Sequence, residues 1–337
     1  MAVEPKTQAF LDSLAAAGGP PINTLAPGDA RAILVRLQQG GAQKLPAKIE
    51  DLTIPGGPTG QVSVRIIRPT GESAVLPAVV YIHGGGWILG DASTHDRLMR
   101  AIANGAQAAI VFVNYDRSPE ARFPTAIEQA YHVAKHISEH GHEHDLDPGR
   151  LVVAGDSVGG NMATAVAMLA TERKGPALDF QMLFYPVTDA GLDTPSYHAF
   201  ANGYWLTRDS MAWFWDAYLP DRAARDHATA SPLRAPLERL RGLPPALVIT
   251  AENDVLRDEG EAYAHKLAEA GVEAAGTRIL GTIHDFLMLD ALADTPPARE
   301  ALLLAIATLR QRFARGARPG GVTLMPEEAV PQTPGRE

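Results

Sequence analysis

Leu151-Val152-Val153-Ala154-Gly155-Asp156-Ser157-Val158-Gly159 joins an apolar, β-rich run to a helical pattern that begins at Asn161. A strand that turns sharply into a helix with serine at the apex holds that serine in a strained backbone conformation and pushes its Oγ out of the turn. Glycines two residues to either side are needed because a Cβ there would collide with the crossing strand and helix. The competing reading is the glycine turn of a nucleotide-binding unit. A phosphate loop needs lysine just before its Ser or Thr, and here that position holds Asp156, which repels phosphate. The stretch therefore predicts a strand, a nucleophile turn and a helix, one unit of an α/β fold.

The same alternation runs outward in both directions. Strands are predicted at 61–68, 78–83, 108–115, 151–155, 180–185, 246–251 and 277–280, and helices at 124–140, 158–171, 259–270 and 298–313. Several strands are continuous apolar runs, as expected for a mainly parallel sheet covered on both faces. Two segments fall outside the alternation. Residues 9–39 read as two helices broken at Gly18-Gly19-Pro20-Pro21, with Pro27-Gly28-Asp29 opening the second. Residues 189–230 hold three of the four tryptophans, an aromatic density that suggests a lid over a pocket. The expected division is 1–47 as N-terminal cap helices, 48–188 and 231–315 as the α/β core, and 189–230 as a cap insertion. The Gly-, Pro- and Glu-rich residues 316–337 are expected to form a disordered tail.

Composition removes several function classes. With 337 residues, 46% of them hydrophobic, the chain can bury a large core. It has no cysteine, which excludes disulfide scaffolds, thiolate metal sites and cysteine nucleophiles. No window approaches the roughly 20 apolar residues that span a bilayer, and the N-terminus has no basic segment leading into an apolar run. A cytoplasmic protein without a membrane span is expected. A net charge of −9 with no Lys/Arg-rich run gives no reason to expect nucleic acid as a partner. A homodimer is compatible with the sequence.

His83-Gly84-Gly85-Gly86-Trp87 follows the apolar run Val79-Val80-Tyr81-Ile82. Three consecutive glycines expose backbone N–H groups that a substrate can approach closely, which suits an oxyanion hole, and the N–H of Val158, just after the serine, adds one more. A serine nucleophile also needs a general base, and the base a carboxylate. His284 follows the strand-like 277–280, and Asp254 follows Leu247-Val248-Ile249-Thr250-Ala251. Ligands of open α/β sheets bind beyond the carboxyl ends of the strands, so His83, Ser157, Asp254 and His284 should share one edge. Asp258 is a rival to Asp254 but reads as the N-cap of the next helix. Asp285 adjoins His284, and sequence neighbours rarely face each other productively. His265 falls in mid-helix and reads as a surface residue. His132, His136 and His140 repeat at helical spacing with His142 and His144 beyond them, and this set reads as a polar helix face, so no metal is expected.

These motifs make the chain resemble the hormone-sensitive-lipase-like (family IV) carboxylesterases of the α/β-hydrolase superfamily over roughly residues 78–290. The resemblance rests on His83-Gly84-Gly85-Gly86-Trp87, Asn114-Tyr115-Asp116-Arg117-Ser118-Pro119-Glu120 with Phe123-Pro124, Gly155-Asp156-Ser157-Val158-Gly159-Gly160, Asp254-Val255-Leu256-Arg257-Asp258-Glu259-Gly260 and His284-Asp285-Phe286. It implies the α/β-hydrolase fold, a mostly parallel sheet flanked by helices with a helical cap. It also implies a cofactor-free serine esterase acting on a small-molecule ester of short to medium acyl chain, with Ser157, Asp254 and His284 catalytic and Gly85, Gly86 and Val158 forming the oxyanion hole. His83, Gly84, Trp87, Tyr204, Trp205 and Trp213 are the expected substrate-binding residues. Val158, Val255 and Asp285 replace the family's usual Ala, Pro and Gly, and Asp285 adds a charge that should raise the pKa of the base. Two alternatives stay open: an amidase using the same triad, and a non-catalytic ligand receptor on the same fold. Such receptors usually lack the His, which is present here.

Overall fold

The central strands are continuous apolar runs because both of their faces are covered. In the computed structural model, which describes residues 2–71 and 74–315, the elements are α1 (Pro5–Ala17), α2 (Pro27–Leu37), β1 (Ala47–Pro55), β2 (Gln61–Pro69), β3 (Leu76–Ile82), α3 (Asp96–Ala106), β4 (Ala109–Asn114), α4 (Thr125–His140), β5 (Leu146–Asp156), α5 (Val158–Glu172), β6 (Phe180–Phe184), α6 (Pro195–Ala199), α7 (Arg208–Tyr218), α8 (Leu237–Leu240), β7 (Ala246–Asn253), α9 (Arg257–Glu269), β8 (Ala274–Ile283) and α10 (Pro296–Arg315). The expected tail, 316–337, lies outside the described residues. Eight strands form one sheet in the order β1-β2-β4-β3-β5-β6-β7-β8. β2 is antiparallel to both of its neighbours and every other pairing is parallel, so β2 alone runs against the rest. Every residue of β3 and β6 is buried, the signature of strands under helices on both sides.

Register fixes what meets at the carboxyl edge. Ile82 pairs with Gly155 and Asp156 with Phe184, so the loops after β3, β5 and β6 leave the sheet at one level. At the far end of β7, Asn253 pairs with Ile283, which makes the next residues, Asp254 and His284, neighbours across the strand pair. Besides the helices α6 and α7 inside residues 189–230 and the short α8, the sequence pattern does not show β1 or α3. β1 is an edge strand with mixed exposure and three charged residues, and it lacks a clean alternation. α3 carries an apolar stripe, Leu98, Met99, Ile102, Ala103 and Ala106, but its polar residues and Gly105 hide it.

α5 is buried from Val158 to Ala170 and, Asn161 and Thr164 apart, is apolar all round, as expected of a helix enclosed by the fold. It approaches β3 so closely that a Cβ on Gly159 would strike the carbonyl of Ile82. Gly159→Ala is therefore expected to lose stability by about 1–3 kcal/mol through overpacking, read as a lower denaturant midpoint at unchanged slope. The N-terminal helices are tied to the core by Gln38, just after α2. Its Nε2 donates to the carbonyls of Thr94 (2.7 Å) and Met288 (2.9 Å), and its Oε1 accepts from the N–H of Asp290 at 3.0 Å.

Candidate active site

Ser157 sits between β5 and α5 with φ +55° and ψ −122°, a conformation that side chains rarely adopt. Its backbone is held by two bonds across the sheet: its N–H donates to the carbonyl of Phe184 (2.9 Å), and its carbonyl accepts from the N–H of Val187 (3.1 Å). The turn leaves Oγ 2.9 Å from His284 Nε2, and His284 Nδ1 lies 2.7 Å from Asp254 Oδ2. Asp254 is fixed in turn by its Oδ1, which accepts from the N–H of Leu256 at 3.0 Å. The three side chains form one buried hydrogen-bonded chain from the turn after β5 to the loops after β7 and β8. Asp258 is not at the predicted N-cap: it lies inside the first turn of α9 and accepts from the N–H of Ser196 at 2.7 Å.

The glycine loop after β3 lies beside this chain. Gly85 and Gly86 have φ +107° and +62°, open chiefly to glycine, and a Cβ on Gly86 would overlap the ring of Phe214. Their N–H groups make no hydrogen bond among the described residues. Asp156 links the loop to the serine turn, a role that sequence reasoning missed. Its Oδ1 accepts from Tyr81 Oη (2.8 Å) and the N–H of Gly84 (3.1 Å), and its Oδ2 lies 3.3 Å from His95 Nε2. Burial opposes its charge, but His95 and the Tyr81 hydroxyl outweigh this and hold the Asp156 carboxyl below its ordinary value.

Ser157, His284, Asp285, Gly85 and Gly86 floor a cavity of about 420 Å³. Its walls come from the two segments outside the alternation: Leu11, Leu14, Ile22, Ile33 and Leu34 on one side, and Tyr204, Trp205, Leu206 and Phe214 on the other. Of the expected substrate-binding residues, Tyr204 and Trp205 are therefore at the cavity, and four are not. Trp87, at φ +59°, turns into the core, where it is 0% exposed and stacks on Tyr218 at 4.0 Å. Trp213 does not line the cavity, which takes its neighbour Phe214 instead, because successive helical residues lie on different faces. His83 is buried behind the loop, stacked on Tyr115 at 4.2 Å, with burial and His95 pushing its pKa down to about 3. Gly84 spends its N–H on Asp156.

Asp254, not its rival Asp285, holds Nδ1 of His284, but Asp285 is not remote from the ring. Asp285 does approach the base: at φ +62° its backbone folds back, and Oδ1 comes within 3.4 Å of His284 Nε2. Trp205 Nε1 donates to Asp285 Oδ2 at 2.8 Å, while Oδ1 is buried without a hydrogen-bond partner. Burial pushes the Asp285 carboxyl up, with the charge on His284 working against it. At His284 burial disfavours the charged ring, but Asp254 and Asp285 prevail and raise it to about 9. Of the α4 histidines, His132 Nε2 lies 2.9 Å from the carbonyl of Pro55 and His140 Nδ1 lies 3.1 Å from Glu143, while the His136 ring packs 4.8 Å from His140 and 6.0 Å from His144.

A mainly parallel sheet, with a serine turn after β5, an acid after β7 and a histidine after β8, is the architecture of an α/β-hydrolase, and a family model described as the alpha/beta hydrolase fold matches residues 79–288. The crystal structure of a thermostable esterase from Pseudomonas putida superposes with a TM-score of 0.91 at 47% identity, covering 93% of this chain and 98% of that one. The carboxylesterase NlhH of Mycobacterium tuberculosis is 38% identical over 78% of this chain and 82% of its own. An ethyl acetate hydrolase of Pseudomonas putida is 35% identical over 80% and 84%. The chain belongs to the hormone-sensitive-lipase-like (family IV) branch of the α/β-hydrolases. Among its described residues no helix is long and apolar enough to cross a membrane.

Proposed function

We propose that this carboxylic ester hydrolase cleaves short- to medium-chain acyl esters through an acyl-enzyme on Ser157. The Ser157 proton passes to His284 Nε2 as the Oγ–carbon bond forms and the carbonyl π pair moves onto oxygen, while Asp254 holds the Nδ1–H and so fixes the tautomer. The N–H groups of Gly85, Gly86 and Val158 receive the oxyanion. His284 then gives its proton to the departing alkoxide and activates the water that releases the acid. Helices α1 and α2 with residues 189–230 act as the cap, and the chain's own residues handle every proton transfer in the cycle.

The observation that carries this reading is the unbroken contact from Ser157 Oγ through His284 to Asp254, 2.9 and 2.7 Å, opening onto a largely apolar cavity. The size limit follows from the volume of about 420 Å³, near the lower end of ligand pockets, which run from roughly 300 to 1,000 Å³. The relative named an ethyl acetate hydrolase points to short acyl groups as well. Initial rates on a p-nitrophenyl ester series from acetate to laurate, with Ser157→Ala as control, test it. Serine-dependent rates should fall beyond medium chains. A folded protein inactive on the whole series would overturn the esterase reading and direct the search to amides, then to ligand binding without turnover.

A further inference from the structure

A buried carboxylate oxygen without a partner costs stability, and native structures keep few of them. Asp285 Oδ1 is one, and its setting is specific: Trp205 Nε1 pins the other oxygen at 2.8 Å, which leaves Oδ1 directed toward His284 Nε2 at 3.4 Å. In the deprotonated ring that catalysis needs, Nε2 offers a lone pair, already taken by the Ser157 hydroxyl at 2.9 Å, so Oδ1 finds no donor there. Once the Ser157 proton has moved to Nε2, the same oxygen faces an N–H of a cation. The contact is therefore poor in the ground state and favourable in the tetrahedral intermediate, which is the condition for an interaction to raise rate rather than binding.

We propose that Asp285, held by Trp205, is a positioning residue that stabilises the imidazolium form of His284 from the Nε2 side, opposite Asp254. The inference deepens the esterase mechanism and rests on it. Asp254 faces His284 across Nδ1, Tyr185 packs edge-on against its ring at 4.9 Å, and the charge of Asp156 acts on it from the end of β5. Asp156 is already shared among His95, Tyr81 and Gly84, and His95 in turn bears on Asp285. Of these groups, Asp285 is the carboxylate at Nε2; the Tyr185 hydroxyl, also buried without a hydrogen-bond partner, carries no charge to offer the cation. The arrangement exacts a cost: a negative neighbour keeps the resting ring protonated to higher pH, and a protonated ring cannot accept the serine proton.

The test is the pH profile of kcat/KM on an uncharged ester for the wild type, Asp285→Asn and Trp205→Phe. Asparagine keeps the size and tolerates the positive φ, and its amide oxygen can take the Trp205 N–H. The acid limb of the wild type should lie above the ordinary imidazole value of about 6.5. In Asp285→Asn it should move to lower pH while the high-pH plateau falls about tenfold, the usual scale for losing a charge-assisted contact. Trp205→Phe, a change in a partly exposed wall residue, should move both in the same direction by less. A merely structural role would lower the plateau without moving the limb, and that result overturns the proposal, as does a limb that moves while the plateau holds. If Asp285→Asn does not fold, an unmoved limb in Trp205→Phe overturns it. Absence of Ser157-dependent hydrolysis in the wild type would instead sink the esterase reading itself.

Discussion

Ser157→Ala lowers kcat on p-nitrophenyl butyrate by roughly 10⁶-fold, the scale of losing the nucleophile from a serine relay. The expectation follows from position. Oγ projects from the turn onto the cavity floor at hydrogen-bond distance from His284, and among the described residues no other hydroxyl is hydrogen-bonded to that ring. KM should change little, because the walls that hold the acyl chain are untouched. The double variant Ser157→Ala/His284→Ala should be no worse than the single, since residues that act as a unit are not additive. Steady-state rates and labelling by a fluorophosphonate read both points: wild type is labelled and Ser157→Ala is not. Residual turnover within a hundredfold of wild type would remove Ser157 from the mechanism.

Asp254→Asn should cost about 10⁴-fold in kcat. Asp254 accepts at Oδ2 from Nδ1 of His284 and at Oδ1 from the N–H of Leu256. In the variant the Leu256 N–H keeps the amide oxygen, so the NH₂ faces Nδ1 and forces the proton onto Nε2. The ring then presents a donor to Ser157 where a base is needed. The fold should survive, because the substitution is isosteric in a loop. Equal losses in kcat and kcat/KM, with an unchanged melting temperature, separate this from damage to the structure. Retention of a tenth of the activity would mean that another group orients the ring.

What the sequence reveals here, and what it conceals, divides along physical lines. Ser157, Asp254 and His284 are readable because each lies within a few residues of the end of a predicted strand, and the end of a strand fixes position in space closely. The walls were harder. Trp87 and Trp213 each look like pocket residues by composition, yet a positive φ turns one inward and a helical step of one residue rotates the other off the cavity. The contact of Asp285 with Nε2 is hidden in the sequence because it depends on a left-handed backbone at Asp285. The linking role of Asp156 is invisible in the local sequence, because its partners Tyr81, Gly84 and His95 come from two other parts of the chain. β1 escaped because an edge strand need not be apolar.

Most of the cavity wall and the proposed reacting residues come from different parts of the chain, one from residues 11–34 and 203–214, the other from loops at the sheet edge. Inheritance can therefore treat them separately. Drift in the wall segments alters which acids and alcohols are admitted, while the spacing of Ser157, His284 and Asp254 stays under the control of strand register. One bond breaks that separation: the Trp205 indole reaches Asp285 at 2.8 Å and, through it, His284. A lineage that replaces Trp205 changes substrate range and working pH together, whereas one that replaces Leu14 or Ile33 changes only the first.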